Sequence, residues 1–346
     1  MIYFYNTFIG SYMKQIIYIV SAGNQSIEVW ELLHTGKMNL IQKIGTNHNE
    51  GQPLSISWKR KKLYVGTRPE YSIITYDILK SGILKKIGIT KIPYSSNYIN
   101  IDDESNLLFC GYYHSGCITM HEIQNNHCPS LPIQIVHNIK GCHSIHIDSY
   151  HKILFIPALL KNNIYVYSFQ KNSEKIFYLK KMNSIKCLHN SGPRHADIHK
   201  NNNFLYSLNE YNATIDVWKI NHEFYHLQHI QNVNLFFSEM NIKSFWSSDI
   251  HTTKCGKYLY ASDRKQNTIT AFKINKDNTL NIINVFNTVQ QPKSFVIDKH
   301  DKYLIVAGQK SNTVSVYNIL KDNGFLKLLN TYDVGKNPTW ITCHHI

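Results

Sequence analysis

No run of apolar residues in this sequence is long enough to cross a bilayer. Residues Met1 to Tyr12 are apolar and aromatic but carry no basic segment and no small-residue cleavage site, so they do not read as a secretory signal. Met13-Lys14-Gln15 immediately precedes the first strand-like segment. The expectation is therefore a non-functional extension over residues 1–12, a natural start at Met13, and a single domain over residues 13–346. The seven cysteines contain no C-x-x-C pair and no metal box, which points to reduced thiols and a cytoplasmic protein. A Walker-type loop, a G-x-G-x-x-G turn after a first strand and a G-x-S-x-G elbow are all missing. Their absence argues against nucleotide, dinucleotide and serine-hydrolase chemistry. Helical periodicity is missing as well.

Acidic residues are the scarcer charge: 23 Asp and Glu stand against 37 Lys and Arg, a formal net charge of +14. Such a balance invites a nucleic-acid reading. The lysines, however, are scattered among Asn, Ile and Tyr, as in Lys59-Arg60-Lys61-Lys62, and do not gather on one face. They read as solvated turn residues. A basic field still speeds the encounter with an anionic small molecule.

What is present is a repeat. Leu63-Tyr64-Val65-Gly66, a few polar residues and Ser72-Ile73-Ile74-Thr75-Tyr76 form a unit that returns at Leu107, Ile153, Phe204, Tyr258 and Tyr303, with a period of about 45 to 54 residues. Each run is short, β-branched and aromatic, and is bounded by Asn, Asp, Gly and Lys, the pattern of strands joined by tight turns. The period is that of a four-stranded antiparallel propeller blade. Ile16 to Trp30 has the middle of a blade without its innermost strand, and Pro338 to Cys343 has an innermost strand without partners. The expected fold is therefore all-β: a seven-bladed propeller whose last blade is closed by strands from both termini, leaving no open sheet edge.

With strands a to d running from the axis outward, the start of a and the end of b lie on one face, and all blades bring these positions to the channel mouth. Gln52, His143, Arg194, His195 and His251 stand at or just beyond starts of a; Arg68, Glu210, Arg264, Gln309 and Lys310 stand at ends of b. Cations and an acid gathered at one mouth are costly to desolvate unless paired or used to hold an anion.

The segments Gly66-Thr67-Arg68-Pro69-Glu70, Gly141-Cys142-His143-Ser144, Gly192-Pro193-Arg194-His195, Asn209-Glu210, Asp249-Ile250-His251, Ser262-Asp263-Arg264 and Ala307-Gly308-Gln309-Lys310-Ser311, in this order and in register with the repeat, resemble the bacterial propeller-type 6-phosphogluconolactonases. That family includes fungal muconate-lactonizing enzymes. The resemblance implies hydrolysis of 6-phospho-D-glucono-1,5-lactone in the pentose phosphate pathway, with His143, Arg194, Glu210 and Arg264 as the catalytic set. One departure is Asn97-Tyr98, where relatives usually carry a His.

Opening a δ-lactone needs an activated water, donors for the oxyanion and a proton for the leaving ring oxygen. Glu210 or His143 is the candidate base; Arg194 and Arg264 are candidates to hold the oxyanion or product carboxylate. Arg68 and Lys310 are candidates for the 6-phosphate, and His195, His251 and Gln309 for further substrate contacts. No cofactor or metal is called for: His143, His195 and Glu210 lie too far apart in sequence for their spacing to argue for an ion. The expected partner is the small-molecule lactone, bound by a monomer, with neither nucleic acid nor membrane. Two alternatives stay open. One is a lactonase or cycloisomerase acting on an unphosphorylated acid, which leaves Arg68 and Lys310 without an anion. The other is a non-enzymatic interaction propeller, against which the recurring Trp-Asp and Gly-His signatures are missing.

Overall fold

A computed structural model describes residues 14–46 and 52–346; the expected extension over residues 1–12 and the expected start at Met13 lie outside the described residues. The described residues form seven four-stranded antiparallel sheets. Numbered from the first complete unit, the innermost strands of blades 1 to 6 are Leu54–Ser57, Tyr98–Asp102, His146–Asp148, Pro193–Ile198, Ser247–Thr252 and Pro292–Ile297. Blade 7 takes its innermost strand, Pro338–His345, from the C-terminus and its other three from Gln15–Ser21, Ser26–Leu32 and Met38–Gly45. Ile17 lies opposite Cys343 and Gln15 opposite His345, so the ring closes along a full-length ladder. No helix among the described residues is long and apolar enough to cross a membrane.

Burial follows position within the blade. Leu107–Tyr112, a second strand, is buried throughout because neighbouring blades cover both its faces. Outermost strands such as Met38–Gly45 bury few residues, having water on one side. Apolar runs therefore mark inner strands and mixed polar runs mark outer ones.

Two recurring contacts lock the blades together. Tyrosines of second strands reach into the outer turn of the next blade: Tyr18 donates to Gly82 O at 2.9 Å, Tyr64 to His127 O at 2.8 Å, Tyr206 to Asn278 O at 3.2 Å, Tyr260 to Gly324 O at 2.8 Å and Tyr303 to His34 O at 2.6 Å. Their rings supply apolar area while the hydroxyl satisfies a turn carbonyl. On the rim, side-chain amides on outer strands pair with the backbone of the next blade, Gln42 with Leu84, Gln134 with Leu179 and Gln231 with Leu280.

Because blade 7 is the closure, a chain ending at Asn337 loses its innermost strand and exposes the edge of Gln15–Ser21. The expected outcome is loss of the cooperative melting transition, read by circular dichroism. A melt like that of the full chain would show that the ring does not need this strand.

Candidate active site

The mouth is shaped by one local device used in several blades. In blade 4, Pro193 lies opposite Asn209 and His195 opposite Leu208, which leaves Arg194 as the extra residue of a bulge. Blade 6 repeats this with Lys293 between Pro292 and Ser294, and blade 7 with Thr339, because Pro338 pairs with Ser21 and Trp340 with Val20. A preceding proline fits here because its missing N–H costs no ladder bond at a strand's first residue, and a bulged residue is re-aimed out of the regular pleat. Arg194, Lys293 and Thr339 all line one cavity of about 260 Å³ at the mouth. Side chains hold the bulged backbone in place from one blade to the next: Ser144 Oγ donates to Arg194 O at 2.8 Å, the Arg194 guanidinium to Ser248 O, and Ser248 Oγ to Lys293 O at 2.6 Å.

Glu210 is the electrostatic centre of the site. It follows the second strand of blade 4, its N–H donating to Gly192 O at 2.8 Å. Its Oε2 lies 2.7 Å from Arg194 Nε and 2.9 Å from Arg264 Nη2, and all three side chains are largely buried. One carboxylate thus neutralises part of two guanidiniums, both of which border the cavity. Trp246 covers Arg264, its ring centre 3.7 Å from the guanidinium carbon, while Arg264 Nε donates to Trp246 O at 3.3 Å. Burial and the neighbouring Arg194 push the Arg264 guanidinium down to about 9, opposed by Glu210.

On the far side of the ring, Arg68 of blade 1 donates from Nε and Nη2 to Ser96 O at 3.1 and 2.8 Å and borders the same cavity. In a seven-membered ring blade 1 faces blades 4 and 5, so Arg68 stands across the mouth from Arg194 and Arg264. His143 lies between these poles. Asn97, where the expected His is absent, ties two loops of the mouth together, Nδ2 donating to His143 O at 2.7 Å and Oδ1 accepting from Tyr113 N at 2.6 Å. Burial, and then the charges of Arg194, His195 and Arg264, hold the His143 imidazole well below its usual range, so it is neutral at pH 7.

Gln52 also lines the cavity, whereas the other candidates do not join this wall. His195 sits one residue beyond Arg194, buried beneath the cavity, its ring centre 5.1 Å from that of His143 and its Nδ1 2.8 Å from Asp249 Oδ1. Burial and Arg194 push it down to about 4, so it is neutral support for His143. His251, four residues along the innermost strand of blade 5, lies toward the opposite end of the channel beside Thr252 and Lys254. Its Nε2 is 3.4 Å from Asp249 Oδ2. Gln309 and Lys310 are also displaced from the expected mouth positions: their turn folds back on the preceding connection, with Gln309 N donating to Gln291 O and Lys310 N to Gln290 O, which leaves Lys310 exposed. Among the described residues, the one set of three His, Cys, Asp or Glu side chains close enough to share an ion is Asp148, His151 and His222, at the end of the channel away from this cavity.

Lys293, Trp246, Tyr113, His114 and Trp340 line the cavity without having been singled out from the sequence. For Lys293 a signal exists: Pro193-Arg194, Pro292-Lys293 and Pro338-Thr339 occupy the same register of their repeats.

The family described as "Lactonase, 7-bladed beta-propeller" matches residues 6–343. The 6-phosphogluconolactonase of Buchnera aphidicola subsp. Schizaphis graminum is 43% identical over 339 residues, covering 95% of this chain and 99% of that protein. The 6-phosphogluconolactonase of Erwinia tasmaniensis is 34% identical over 338 residues, covering 96% and 100%. Among solved structures, a Lactobacillus plantarum protein superposes with a TM-score of 0.87 at 17% identity, covering 96% of this chain and 100% of its own. The Pseudomonas aeruginosa periplasmic gluconolactonase superposes with a TM-score of 0.84 at 17% identity, covering 96% and 98%; at such identities these two speak for the fold alone. With the family matched over nearly its whole length and relatives above 30% identity across the full repeat, the chain belongs to the seven-bladed β-propeller lactonase family.

Proposed function

We propose that this protein hydrolyses 6-phospho-D-glucono-1,5-lactone to 6-phospho-D-gluconate, a step of the pentose phosphate pathway. The observation that carries the reading is the pair of guanidiniums, Arg194 and Arg264, bridged by Glu210 on one side of a cavity that Arg68 borders on the other. An anion at one end and a developing oxyanion at the other match this separation of charge. Arg194 and Arg264 hold the lactone carbonyl oxygen as it gains charge, and Glu210 orients both. With Oε2 shared by two guanidiniums, Glu210 acts in this reading as a positioning group, not as base. Neutral His143 hydrogen-bonds the attacking water or a sugar hydroxyl, and Trp246, Trp340 and Tyr113 give the pyranose ring apolar walls. Arg68 takes the 6-phosphate, a role for which Lys310, outside the cavity, is not needed. The protein works as a monomer on a small molecule; its seven free thiols fit a reducing cytoplasm.

The test is disappearance of freshly generated 6-phosphogluconolactone above its spontaneous rate, run beside gluconolactone and muconolactone. In the same assay, Arg68→Met is expected to raise KM for the phosphorylated lactone about 10- to 100-fold, the loss of one charge-assisted contact, with a much smaller effect on KM for gluconolactone. Equal use of both sugar lactones by the wild type would replace phosphate recognition with the unphosphorylated alternative. No rate on any lactone from folded protein would favour an interaction propeller.

A further inference from the structure

Lys293 is placed by the same bulge that places Arg194. Pro292 pairs with Gly308 and Ser294 with Ala307, so Lys293 has no partner in the ladder, and its carbonyl is tied at 2.6 Å to Ser248 Oγ in the neighbouring blade. Its side chain enters the cavity shared by Arg68, Arg194, Arg264 and Glu210. Among the described residues no acceptor binds its amine, and Glu210 Oε2 is already divided between two arginines. A lysine with no carboxylate of its own, held beside guanidiniums that keep their protons at neutral pH, is the group in this cavity that yields its charge first. Burial, and then Arg194, Arg264 and Arg68, push its ammonium down to about 7, with Glu210 opposing. A free amine is therefore present at neutral pH, the condition a general base requires.

We infer that Lys293 is the general base of lactone opening, taking a proton from the attacking water and returning it to the ring oxygen. The inference rests on the lactonase reading above. The water oxygen bonds to C1 as one of its protons passes to the Lys293 amine, and the carbonyl electrons move onto an oxyanion held by Arg194 and Arg264. Collapse of that intermediate breaks the bond from C1 to the ring oxygen. The ring oxygen takes the proton from the Lys293 ammonium, and the new carboxylic acid releases the second water proton to solvent. Lys293 ends as it began, and no oxidant, metal or other co-reactant enters. His143 is less suited to this step because its surroundings hold its basicity well below that of an ordinary imidazole.

The experiment compares wild type, Lys293→Met and Lys293→Arg in the phosphogluconolactone assay from pH 5.5 to 8, with the spontaneous rate subtracted. Wild-type kcat/KM is expected to rise about tenfold per pH unit below roughly pH 7 and to level above it. Both variants are expected to lose about 10²- to 10⁴-fold in kcat, with KM within a few-fold of wild type and no such pH limb, because arginine keeps its charge. A Lys293→Arg variant that retains wild-type kcat overturns the base. So does a Lys293→Met variant that raises KM for the phosphorylated lactone alone, which would make the ammonium a phosphate ligand. Below pH 7, where the amine carries its proton, removing this cation from beside three arginines is expected to raise Tm for Lys293→Met. Should either variant fail to fold, ¹³C-dimethylation of wild-type lysines decides by NMR: a resonance titrating near pH 7 and shifted by bound 6-phosphogluconate supports the assignment, and the absence of any lysine titrating below pH 9 overturns it. A wild type with no rate above background removes the lactonase reading itself, an outcome separate from an active wild type whose variants are equally active.

Discussion

Arg194→Ala is expected to lower kcat/KM for 6-phosphogluconolactone by about 10²- to 10³-fold, the usual loss when one donor to a developing oxyanion is removed. The guanidinium is held on two sides, by Ser248 O and by Glu210 at 2.7 Å, so in the proposed reaction it would meet the carbonyl oxygen without reorganising. The loss should fall on kcat more than on KM, since the interaction strengthens as charge develops. The fold should change little. Breaking a buried pair is expensive when it strands a charge, but Glu210 keeps Arg264 at 2.9 Å and Arg264 loses a like-charged neighbour. Arg194 also depresses Lys293. Its removal should therefore raise the Lys293 pKa and move the acid limb of activity above pH 7. Steady-state kinetics over pH, with a thermal melt of the same preparation, check all three points. Near-normal turnover would remove Arg194 from the chemistry.

Glu210→Gln should show the opposite balance, with the larger effect on stability. The carboxylate is the common partner of Arg194 and Arg264, and its neutral replacement leaves two buried cations facing each other. Stranding buried charge in this way costs on the order of 3–5 kcal/mol, which for a domain of this size is a Tm drop of about 4–7 °C. Calorimetry or circular dichroism reads it directly. The pH profile separates orientation from proton transfer. Glu210 supports the protonated form of Lys293, so its loss should shift the acid limb to lower pH while leaving the limb in place. Were Glu210 itself the base, the limb would vanish. An unchanged melt would show that the two guanidiniums do not depend on Glu210.

The repeat was readable because it is local. Continuous apolar runs bounded by Asn, Asp, Gly and Lys recur at Leu63, Leu107 and Tyr258, and each run forms a buried second strand. Closure by the two termini followed from counting which strands each end lacked. The gathering of Arg68, His143, Arg194, Glu210 and Arg264 at one mouth followed from the alternating strand direction within the repeat, and these five residues do share a cavity. Lys310 and His251 obeyed the same positional rule and yet lie elsewhere. A turn can dock back on its own blade, as Gln309-Lys310 does on Gln290-Gln291, and a strand runs the length of the channel, so that four residues carry His251 away from the mouth.

Fold and family, then, were written in the order of residues along the chain, because blade period, strand burial and ring closure depend on neighbours within one repeat. The working state of the site was decided only in three dimensions. Glu210 meets Arg264 across 54 positions of sequence, and Lys293 feels Arg68, Arg194 and Arg264 from three other blades. Charge, desolvation and the aim of a bulged residue depend on what lies across the channel, and no repeat unit contains the residues opposite it.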